Sequence, residues 1–405
     1  MNLPLLSDYR ARIERDLCGN ILPFWIAHAV DGGGGFVGAL TNDLSPDASA
    51  ERGALLTSRI LWTFAAAYGR YRDPAYLAMA DRAYDDLAGR FADRQNGGFF
   101  WSLSADGKVL RDRKQVYGHA FAIYALSEYH AVTGRAQPLE RAIAVHRLIE
   151  EHAREEHGGY LEAFDRAWTP IADVRLSAFD LNEPKSQNTH LHILEAYTRL
   201  IDIWPAPGLR NALAGLLDIM LTRIVNPASG HLGLFFALDW TPRSDRVSYG
   251  HDIEASWLLT RAAEALGEAE LASRTRALAV KIAEVTLAEG VDVDGAVYNE
   301  GGPEGLSNAN KEWWPQAEAV VGFLNAYELS KEERFLEAAF RAWDFIEARL
   351  IDRAGGEWFR GVTRDGRVLE SELKVSFWKC PYHNGRAGLE ASRRLRDIAA
   401  AAPSS

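Results

Sequence analysis

The 405 residues are 47% hydrophobic and 25% charged, a balance typical of a folded globular protein with a large apolar core. A formal net charge of −11, with no stripe of Lys and Arg, argues against a nucleic-acid partner. No apolar run could span a membrane, the N-terminus is charged too early for a secretory signal, and two cysteines, Cys18 and Cys380, cannot build a disulfide framework, so we expect a cytoplasmic protein.

The most regular feature along the chain is a glycine-centred turn that recurs at intervals of 61 to 71 residues. It falls at Gly35, Gly98, Gly159, Gly230, Gly295 and Gly356. Each interval can hold a short hairpin, two helices of about four turns and their connections. No linker interrupts the repeat, which predicts a single catalytic domain over residues 1–405 with a disordered tail at 398–405.

Between these turns, apolar residues recur at helical spacing, and each interval pairs a very apolar helix with an amphipathic one. The apolar helices are predicted to lie inside, at 54–69, 115–132, 188–203, 250–266, 312–329 and 382–397. The amphipathic helices are predicted to lie outside, at 5–28, 73–92, 137–153, 207–224, 270–288 and 332–350. Glycine and aromatic residues between them predict short β-hairpins in the connecting loops. Six helix pairs suffice to close a ring, so we predict an all-α (α/α)6 barrel, with an open helical array as the alternative.

Polar residues stand near the starts of the predicted inner helices, and closing the ring would bring them to one pocket. They are Arg59, Tyr117, His119, Asn188, His192, His251, Glu254, Trp314, Glu318, Trp378 and His383. His192 shares a helix face with Asn188, whereas His190 and Asp252 point elsewhere. Each residue alone would more often cap or pack a helix. The prediction of a pocket therefore depends on their convergence.

Aromatic residues cluster on the loop side of the predicted barrel, which favours a carbohydrate pocket. The C–H face of a sugar stacks on an aromatic ring while its hydroxyls find polar partners. The candidate rings are Trp101, Trp168, Phe235, Phe236, Trp240, Trp313, Trp314 and Trp378. Some of them are expected only to pack the hairpins against the helices.

The excess of histidine narrows the chemistry. A glycosidase needs two carboxylates, and Glu254 with Glu318 could supply them, but the histidines would then lack a role. His192, His251, His383 and Glu254 could ligate a metal, although no HxxxH or HExxH spacing supports this. Two imidazoles suit removal and return of a proton at sugar C2, with Arg59 stabilising the enediolate. We therefore expect neither metal nor cofactor, since no glycine segment continues into a phosphate-binding motif.

Four segments carry a resemblance to a known family: NTHLHILEAY, SYGHDIEASWLL, EWWPQAEAVVGFLNAY and FWKCPYHNGRAGLE. They resemble the signature segments of the cellobiose 2-epimerases, which belong to the N-acylglucosamine 2-epimerase superfamily of (α/α)6 barrels. The resemblance runs from about residue 10 to 397. It implies a reducing β-1,4-linked disaccharide as substrate, epimerised at C2 without a cofactor, as from cellobiose to glucosyl-mannose or from lactose to epilactose.

The resemblance also implies roles for individual residues. His251 and His383 would form the acid/base pair, with Glu254 positioning His251. His192 would assist ring opening or hold the C1 and C2 oxygens, and Arg59 would stabilise the enediolate. Contacts to the sugar would come from Tyr117, Asp180, Asn188, Trp314, Glu318 and Trp378.

Departures from the family pattern leave the substrate open. Cys380 stands where a small residue such as Gly is expected, and the segment SAFDLNEPKSQ varies around Asp180, near the expected second sugar. The alternatives are a mannose/glucose or N-acylglucosamine 2-epimerase on the same barrel, a glycoside hydrolase, and a non-catalytic sugar-binding protein. We expect a monomer or a weak homodimer.

Overall fold

The computed structural model describes residues 3–401, which are mostly helical. The helices are α1 (Leu3–Asp16), α2 (Leu22–His28), α3 (Ala54–Tyr71), α4 (Pro74–Asp86), α5 (Val116–Thr133), α6 (Ala136–Leu148), α7 (Gln187–Ile201), α8 (Pro207–Ile219), α9 (Tyr249–Leu266), α10 (Ala269–Val285), α11 (Trp313–Ser330), α12 (Glu333–Phe345) and α13 (Tyr382–Ala400). The strands are β1 (Arg52–Gly53), β2 (Ser102–Leu103), β3 (Val109–Arg111), β4 (Lys114–Gln115), β5 (Ala163–Phe164), β6 (Lys185–Ser186), β7 (Phe235–Phe236), β8 (Val247–Ser248), β9 (Glu300–Gly302), β10 (Gly305–Asn308), β11 (Lys311–Glu312) and β12 (Gly361–Val362).

The helices form two concentric layers. The inner ring consists of α3, α5, α7, α9, α11 and α13, each packed against the next, and α13 closes the ring by packing against α3. In the outer layer, α4, α6, α8, α10 and α12 each pack on the preceding inner helix, while α1 packs on α13. The predicted (α/α)6 barrel is confirmed, and the contact between α13 and α3 rules out an open array.

Burial explains why the two layers alternate. Along α5 and α11 nearly every residue of the first three turns is buried, because these helices are apolar on all sides. The outer helix α12 instead buries one stripe, which includes Phe335, Ala339 and Trp343, and turns its charged residues to solvent. Gly134 and Gly267 follow α5 and α9 in the left-handed conformation that ends many helices.

The outer helices share a distortion that the sequence reasoning did not predict. A five-residue π-helical turn follows α1, α4, α6, α8, α10 and α12, at Leu17–Ile21, Leu87–Phe91, Ile149–Ala153, Met220–Ile224, Thr286–Gly290 and Ile346–Leu350. After the first of these turns the chain continues as α2, whereas after the others it enters a glycine turn directly. The distortion is therefore a property of the repeat and not of one site.

Short strands form a rim at the end of the barrel where the inner helices begin. The strand before an inner helix pairs antiparallel with a strand in the following repeat, as β1–β2, β4–β5, β6–β7, β8–β9 and β11–β12. Before α13, Val375 bridges Leu40 in the same way. Two local hairpins, β2–β3 and β9–β10, extend this rim. The predicted hairpins are therefore present, and additional pairing joins neighbouring repeats.

Buried lysines tie this rim to the glycine turns. Lys114, the first residue of β4, donates to Asp93 at 2.9 Å and to the carbonyl of Gly97 at 2.9 Å. Lys185, Lys311 and Lys374 bind acidic residues of their own glycine turns in the same manner. At the equivalent place before α9 the chain has Val247, and its turn has the neutral Asn226. Losing the cation and the anion together avoids leaving a buried charge unpaired.

The C-terminal prediction needs correction. Helix α13 continues through Ala400, and Ile398 is buried, so a disordered tail starting at residue 398 is wrong for its first three positions. Ala401 caps the helix, and positions 402–405 lie outside the described residues. None of the helices in residues 3–401 has both the length and the apolar character needed to cross a bilayer.

Candidate active site

A cavity of about 510 Å³ opens inside the rim of strands, at the starts of the inner helices. Its volume lies within the range of about 300–1,000 Å³ common for small-molecule sites. It is lined by Arg59, Tyr117, Asp180, Asn188, His192, His251, Glu254, Trp314, Trp378 and His383. Two residues predicted for the pocket do not line it: His119, and Glu318, which binds the ring of His383.

His383, in the first turn of α13, is oriented by a carboxylate from another helix. Its Nδ1 lies 2.7 Å from Oε1 of Glu318 on α11. Since a carboxylate accepts, Nδ1 carries the hydrogen, and Nε2 keeps its lone pair. Glu318 was predicted to contact the sugar. Its contact with His383 instead suits it to hold the ring and to stabilise an imidazolium.

His251, in the first turn of α9, has a different partner from the one expected. Its Nδ1 lies 2.8 Å from Oγ of Ser248, and its ring lies 4.7 Å from that of Trp314. Among the hydrogen bonds of residues 3–401, none joins Glu254 to His251. These contacts therefore give no support to the predicted positioning role of Glu254, which binds Arg386 on α13.

Arg386 organises the floor of the cavity. Its Nη2 donates to Glu254 at 2.6 Å and to Glu318 at 2.7 Å, and its Nη1 contacts Glu195. All four side chains are at most 3% exposed. A single guanidinium thus binds three carboxylates that come from α7, α9 and α11.

The two carboxylates nearest His383 have opposite pKa shifts. Burial and the charge of Glu318 raise the pKa of Glu254 well above its usual range. Burial raises the pKa of Glu318, but the positive charge of Arg386 and the hydrogen bonds from His383 and Arg386 outweigh it and lower that pKa below its usual range. We therefore treat Glu318 as the anion of the pair and Glu254 as the carboxyl that holds a proton.

Glu254, Glu318 and His383 also satisfy the simplest geometric test for a metal site, since their candidate ligand atoms lie within 4.8 Å of one another. Arg386 already stands between the two carboxylates and donates to both. This guanidinium supplies the positive charge that a metal ion would otherwise bring to the pair.

His192 on α7 and Arg59 on α3 line the same cavity. Nδ1 of His192 donates to Glu195 at 2.9 Å, and its ring meets Tyr117 edge-on at 5.1 Å. Nη2 of Arg59 donates to the hydroxyl of Tyr117 at 2.6 Å. Arg59 is 3% exposed, and no carboxylate among the described residues forms an ion pair with it. Its charge is therefore available to a negative group in the cavity.

The environment keeps the histidines of the cavity neutral. Burial, reinforced by the charges of His192 and His383, lowers the pKa of His251 to about 3. Burial likewise lowers the pKa of His383 to about 3, outweighing the opposite effect of Glu318. At neutral pH both imidazoles are therefore unprotonated and can accept a proton.

Two other buried histidines have a structural role. His119 accepts the N–H of Phe99 and donates to the carbonyl of Gln115, and His190 does the same with Tyr160 and the carbonyl of Ser186. The candidate His119 is thus not a pocket residue, while the prediction that His190 faces away is confirmed. On α9 and α11, Asp252 and Gln316 accept the equivalent N–H groups.

The predicted aromatic wall is only partly present. Trp101, Trp313, Trp314 and Trp378 line the cavity. Trp168 and Trp240 instead pack on His119 and His190 at 5.1 and 5.2 Å, below the glycine turns. A Cβ added to Gly98 or Gly159 would lie within 2.6 Å of these histidine or tryptophan rings, so only glycine fits there.

Sequence reasoning missed Arg386, Glu195 and Ser248. One signal was available for Arg386: an arginine early in a predicted inner helix, in the segment HNGRAG, must be buried and so needs acidic partners. Glu195 gave a weaker signal, because it lies three residues after His192 on the same helix face.

A second cavity, of about 370 Å³, lies at the other end of the barrel. Its walls include the ion-paired residues Arg199, Glu128, Arg393 and Glu390. Among the described residues that line it there is no histidine. Groups suited to proton transfer are therefore concentrated in the cavity under the rim.

Comparison with known proteins agrees with this geometry. Residues 34–385 match the family model for N-acylglucosamine 2-epimerase (GlcNAc 2-epimerase). The chain is 41% identical to a cellobiose 2-epimerase of Bacteroides fragilis over 384 residues, covering 94% of this chain and 98% of that protein. It is 38% identical to a cellobiose 2-epimerase of Dictyoglomus turgidum over 392 residues, covering 96% of this chain and 100% of the relative.

A solved structure gives the same result. The cellobiose 2-epimerase from Bacillus thermoamylovorans superimposes with a TM-score of 0.92 at 37% sequence identity, covering 96% of this chain and 100% of that one. By sequence and by fold, the chain belongs to the N-acylglucosamine 2-epimerase family of isomerases.

Proposed function

We propose that this enzyme epimerises the reducing-end sugar of β-1,4-linked disaccharides at C2, converting cellobiose to glucosyl-mannose and lactose to epilactose. The observation that carries the proposal is the pair His251 and His383. They come from different inner helices, reach the same cavity, and have their rings 4.7 and 5.6 Å from that of Trp314. The relatives named cellobiose 2-epimerase support the choice of substrate.

The chemistry begins with ring opening, which moves a proton from O1 to O5 and leaves an aldehyde at C1. His192, held by Glu195, is placed to assist this transfer. The Nε2 of one catalytic histidine then takes the C2 proton, and the C–H electrons form the C1=C2 bond of an enediolate. The negative charge gathers on O1, where Arg59 stabilises it.

The second histidine returns a proton to the opposite face of C2, and the electrons go back to restore the C1 carbonyl. One histidine therefore enters the cycle neutral and the other protonated, with solvent restoring the balance afterwards. Both pKa values are about 3 in the free protein, so the neutral base is abundant and the acid is scarce. The charge of the enediolate raises the pKa of a neighbouring imidazole and offsets this scarcity.

Hydrolysis fits the same residues less well. A glycosidase needs two carboxylates that face the scissile bond from either side. Glu254 and Glu318 instead share Arg386, and Glu318 is not among the residues that line the cavity. This arrangement supports proton transfer by histidine over hydrolysis by a carboxylate pair.

Proton NMR of cellobiose incubated with the enzyme in D2O tests the proposal. Deuterium at C2, together with new mannose-type anomeric signals, is the expected result. Free glucose without exchange would show hydrolysis, and exchange with mannose but not cellobiose would assign a monosaccharide epimerase. Either outcome overturns the proposal. A cytoplasmic location, a monomeric or weakly dimeric state, and activity without cofactor or metal also remain predictions.

A further inference from the structure

Phe179 is an apolar residue whose side chain is almost fully exposed to solvent. Its side chain is 88% exposed, on the loop between β5 and β6, at the mouth of the 510 Å³ cavity. A single exposed apolar side chain is ordinary on a protein surface. Val293 is 92% exposed, for example, and lines none of the described cavities. The position of Phe179 is what separates it from Val293.

The turn that carries Phe179 is fixed by hydrogen bonds between side chains and backbone. A carboxylate oxygen of Asp180 accepts the N–H of Ser177 at 2.7 Å, and the hydroxyl of Ser177 accepts the N–H of Phe179 at 3.3 Å. Such local bonds hold the backbone of a turn in one conformation. The backbone that carries the Phe179 ring is therefore held in one conformation.

The base of the loop is held as well. The side-chain amide of Gln115, the residue before α5, donates to the carbonyl of Arg175 at 2.9 Å. Asn182 accepts the N–H of Val174 and donates to the carbonyl of Ala172, both at 2.9 Å. Gln115 lies two residues before Tyr117, which lines the cavity. The loop is thus tied to the helix that supplies a wall of the cavity.

The turn also lies where the cavity divides. Leu176 and Asp180 line both the main cavity and a smaller neighbouring one of about 80 Å³, together with Asn188 and His251. His251 and this turn therefore border the same space. Phe179 lines that space and is 88% exposed, so its ring lies at the solvent-facing edge of the cavity.

We propose that Phe179 is the platform on which the second, non-reacting sugar of the substrate stacks, and that it sets the preference for a disaccharide over a monosaccharide. The inference rests on the proposed function. Stacking places the apolar face of a pyranose on the ring and removes apolar surface of both from water. A monosaccharide held at the histidines does not extend to Phe179 and gains nothing from it.

The test compares Phe179→Ala with the wild-type enzyme on cellobiose and on mannose, following deuterium incorporation at C2. For cellobiose we expect KM to rise about threefold to tenfold with kcat nearly unchanged, the pattern of lost uniform binding. KM for mannose stays the same. If mannose is not turned over, its inhibition constant against cellobiose replaces KM.

Matched variants separate stacking from other effects. Phe179→Tyr keeps a ring and should keep the wild-type KM for cellobiose, whereas Phe179→Leu keeps apolar bulk without a ring and should fall between wild type and Phe179→Ala. Val293→Ala removes an equally exposed side chain away from the cavities and should change neither constant.

Two results would overturn the inference: an unchanged KM for cellobiose in Phe179→Ala, or equal changes for cellobiose and mannose. Both are distinct from failure of the proposed function, which appears in the wild-type enzyme as no deuterium at C2 of cellobiose. In that case the role of Phe179 falls with the function on which it rests.

Discussion

His190 and His192 lie two residues apart on α7 and differ in their surroundings. Comparing them shows what distinguishes a structural histidine from one proposed to act in catalysis. His190 and His192 are both buried, at 0% and 2% exposure. Both ring nitrogens of His190 bond to backbone groups, the carbonyl of Ser186 and the N–H of Tyr160. Within residues 3–401, His192 bonds only through Nδ1, to Glu195, and its ring lines the cavity. A ring nitrogen left open to a cavity, and not burial, therefore distinguishes the histidine proposed to act in catalysis from the structural one.

The largest effect on activity is expected at His251 and His383. Like His192, both line the cavity and hydrogen-bond through Nδ1. His251→Asn or His383→Asn should each lower kcat about 10²- to 10⁴-fold, because each removes a general acid or base. Thermal unfolding should stay close to wild type, since neither residue supports a backbone N–H. Deuterium exchange at C2 and a melting curve measure the two effects. Near-normal exchange in either variant would contradict the two-base mechanism.

The next effect tests the partner of His383. Glu318→Gln should lower kcat about 10- to 100-fold, because it removes the charged acceptor from Nδ1 of His383. Glu254→Gln is the matched control. It replaces a carboxyl that already holds a proton with a neutral group of the same shape, so its loss in kcat should be clearly smaller. Equal losses in single-turnover assays would show that both carboxyls act as anions.

On the structural side of the comparison, His190→Ala should lower the free energy of unfolding by about 2–4 kcal/mol, because it leaves the N–H of Tyr160 buried without an acceptor. His190→Gln should recover much of this loss, since Gln316 accepts the N–H of Val297 in the same way on α11. Denaturant unfolding measures both variants. In the folded fraction kcat should stay near wild type, and a loss like that of His383→Asn would give His190 a chemical role.

The smallest effect is a pH dependence of stability. Burial lowers the pKa of His119 and of His190 to about 4, below the unfolded value of about 6.5. The unfolded chain therefore binds more protons below pH 6.5, and the stability present above that pH is lost as the pH falls towards 4. Each histidine should cost about 2 kcal/mol at pH 5 relative to pH 7.5.

Replacing both residues by glutamine, which does not titrate, should make the loss of stability at acid pH smaller but not abolish it, because His251 and His383 also have lowered pKa values. Unfolding curves of the wild type and of the double variant between pH 4.5 and 7.5 give the comparison. An acid limb of the same slope in both proteins would show that other groups cause it.

The sequence predicted most of what depends on periodicity. The spacing of the glycines predicted the number of repeats, and the apolar helices predicted the inner ring, with bounds correct within three residues. Helical period also placed His192 on the cavity side and His190 off it. It did not separate His119 from the pocket residues, because the N–H that His119 accepts belongs to Phe99, twenty residues earlier.

Residue spacing could not predict hydrogen-bond partners that lie on different helices. Glu318 and His383 are 65 residues apart, and Arg386 lies 191 residues from Glu195. Their contacts depend on the tilt and rotation of three separate helices in the closed ring. The sequence therefore placed Glu254 with its neighbour His251, when its partner is Arg386 on the last helix.

The closure of the ring by α13 has a consequence for the order of events during synthesis. Helix α13 fits between α3 and α11 and packs on α1, so it completes both layers at once. It also brings His383 and Arg386, the residues that gather Glu195, Glu254 and Glu318. A nascent chain that stops short of residue 382 has an open barrel with three buried acids facing no cation. The ring can therefore close, and the residues proposed for catalysis can come together, only after α13 has left the ribosome.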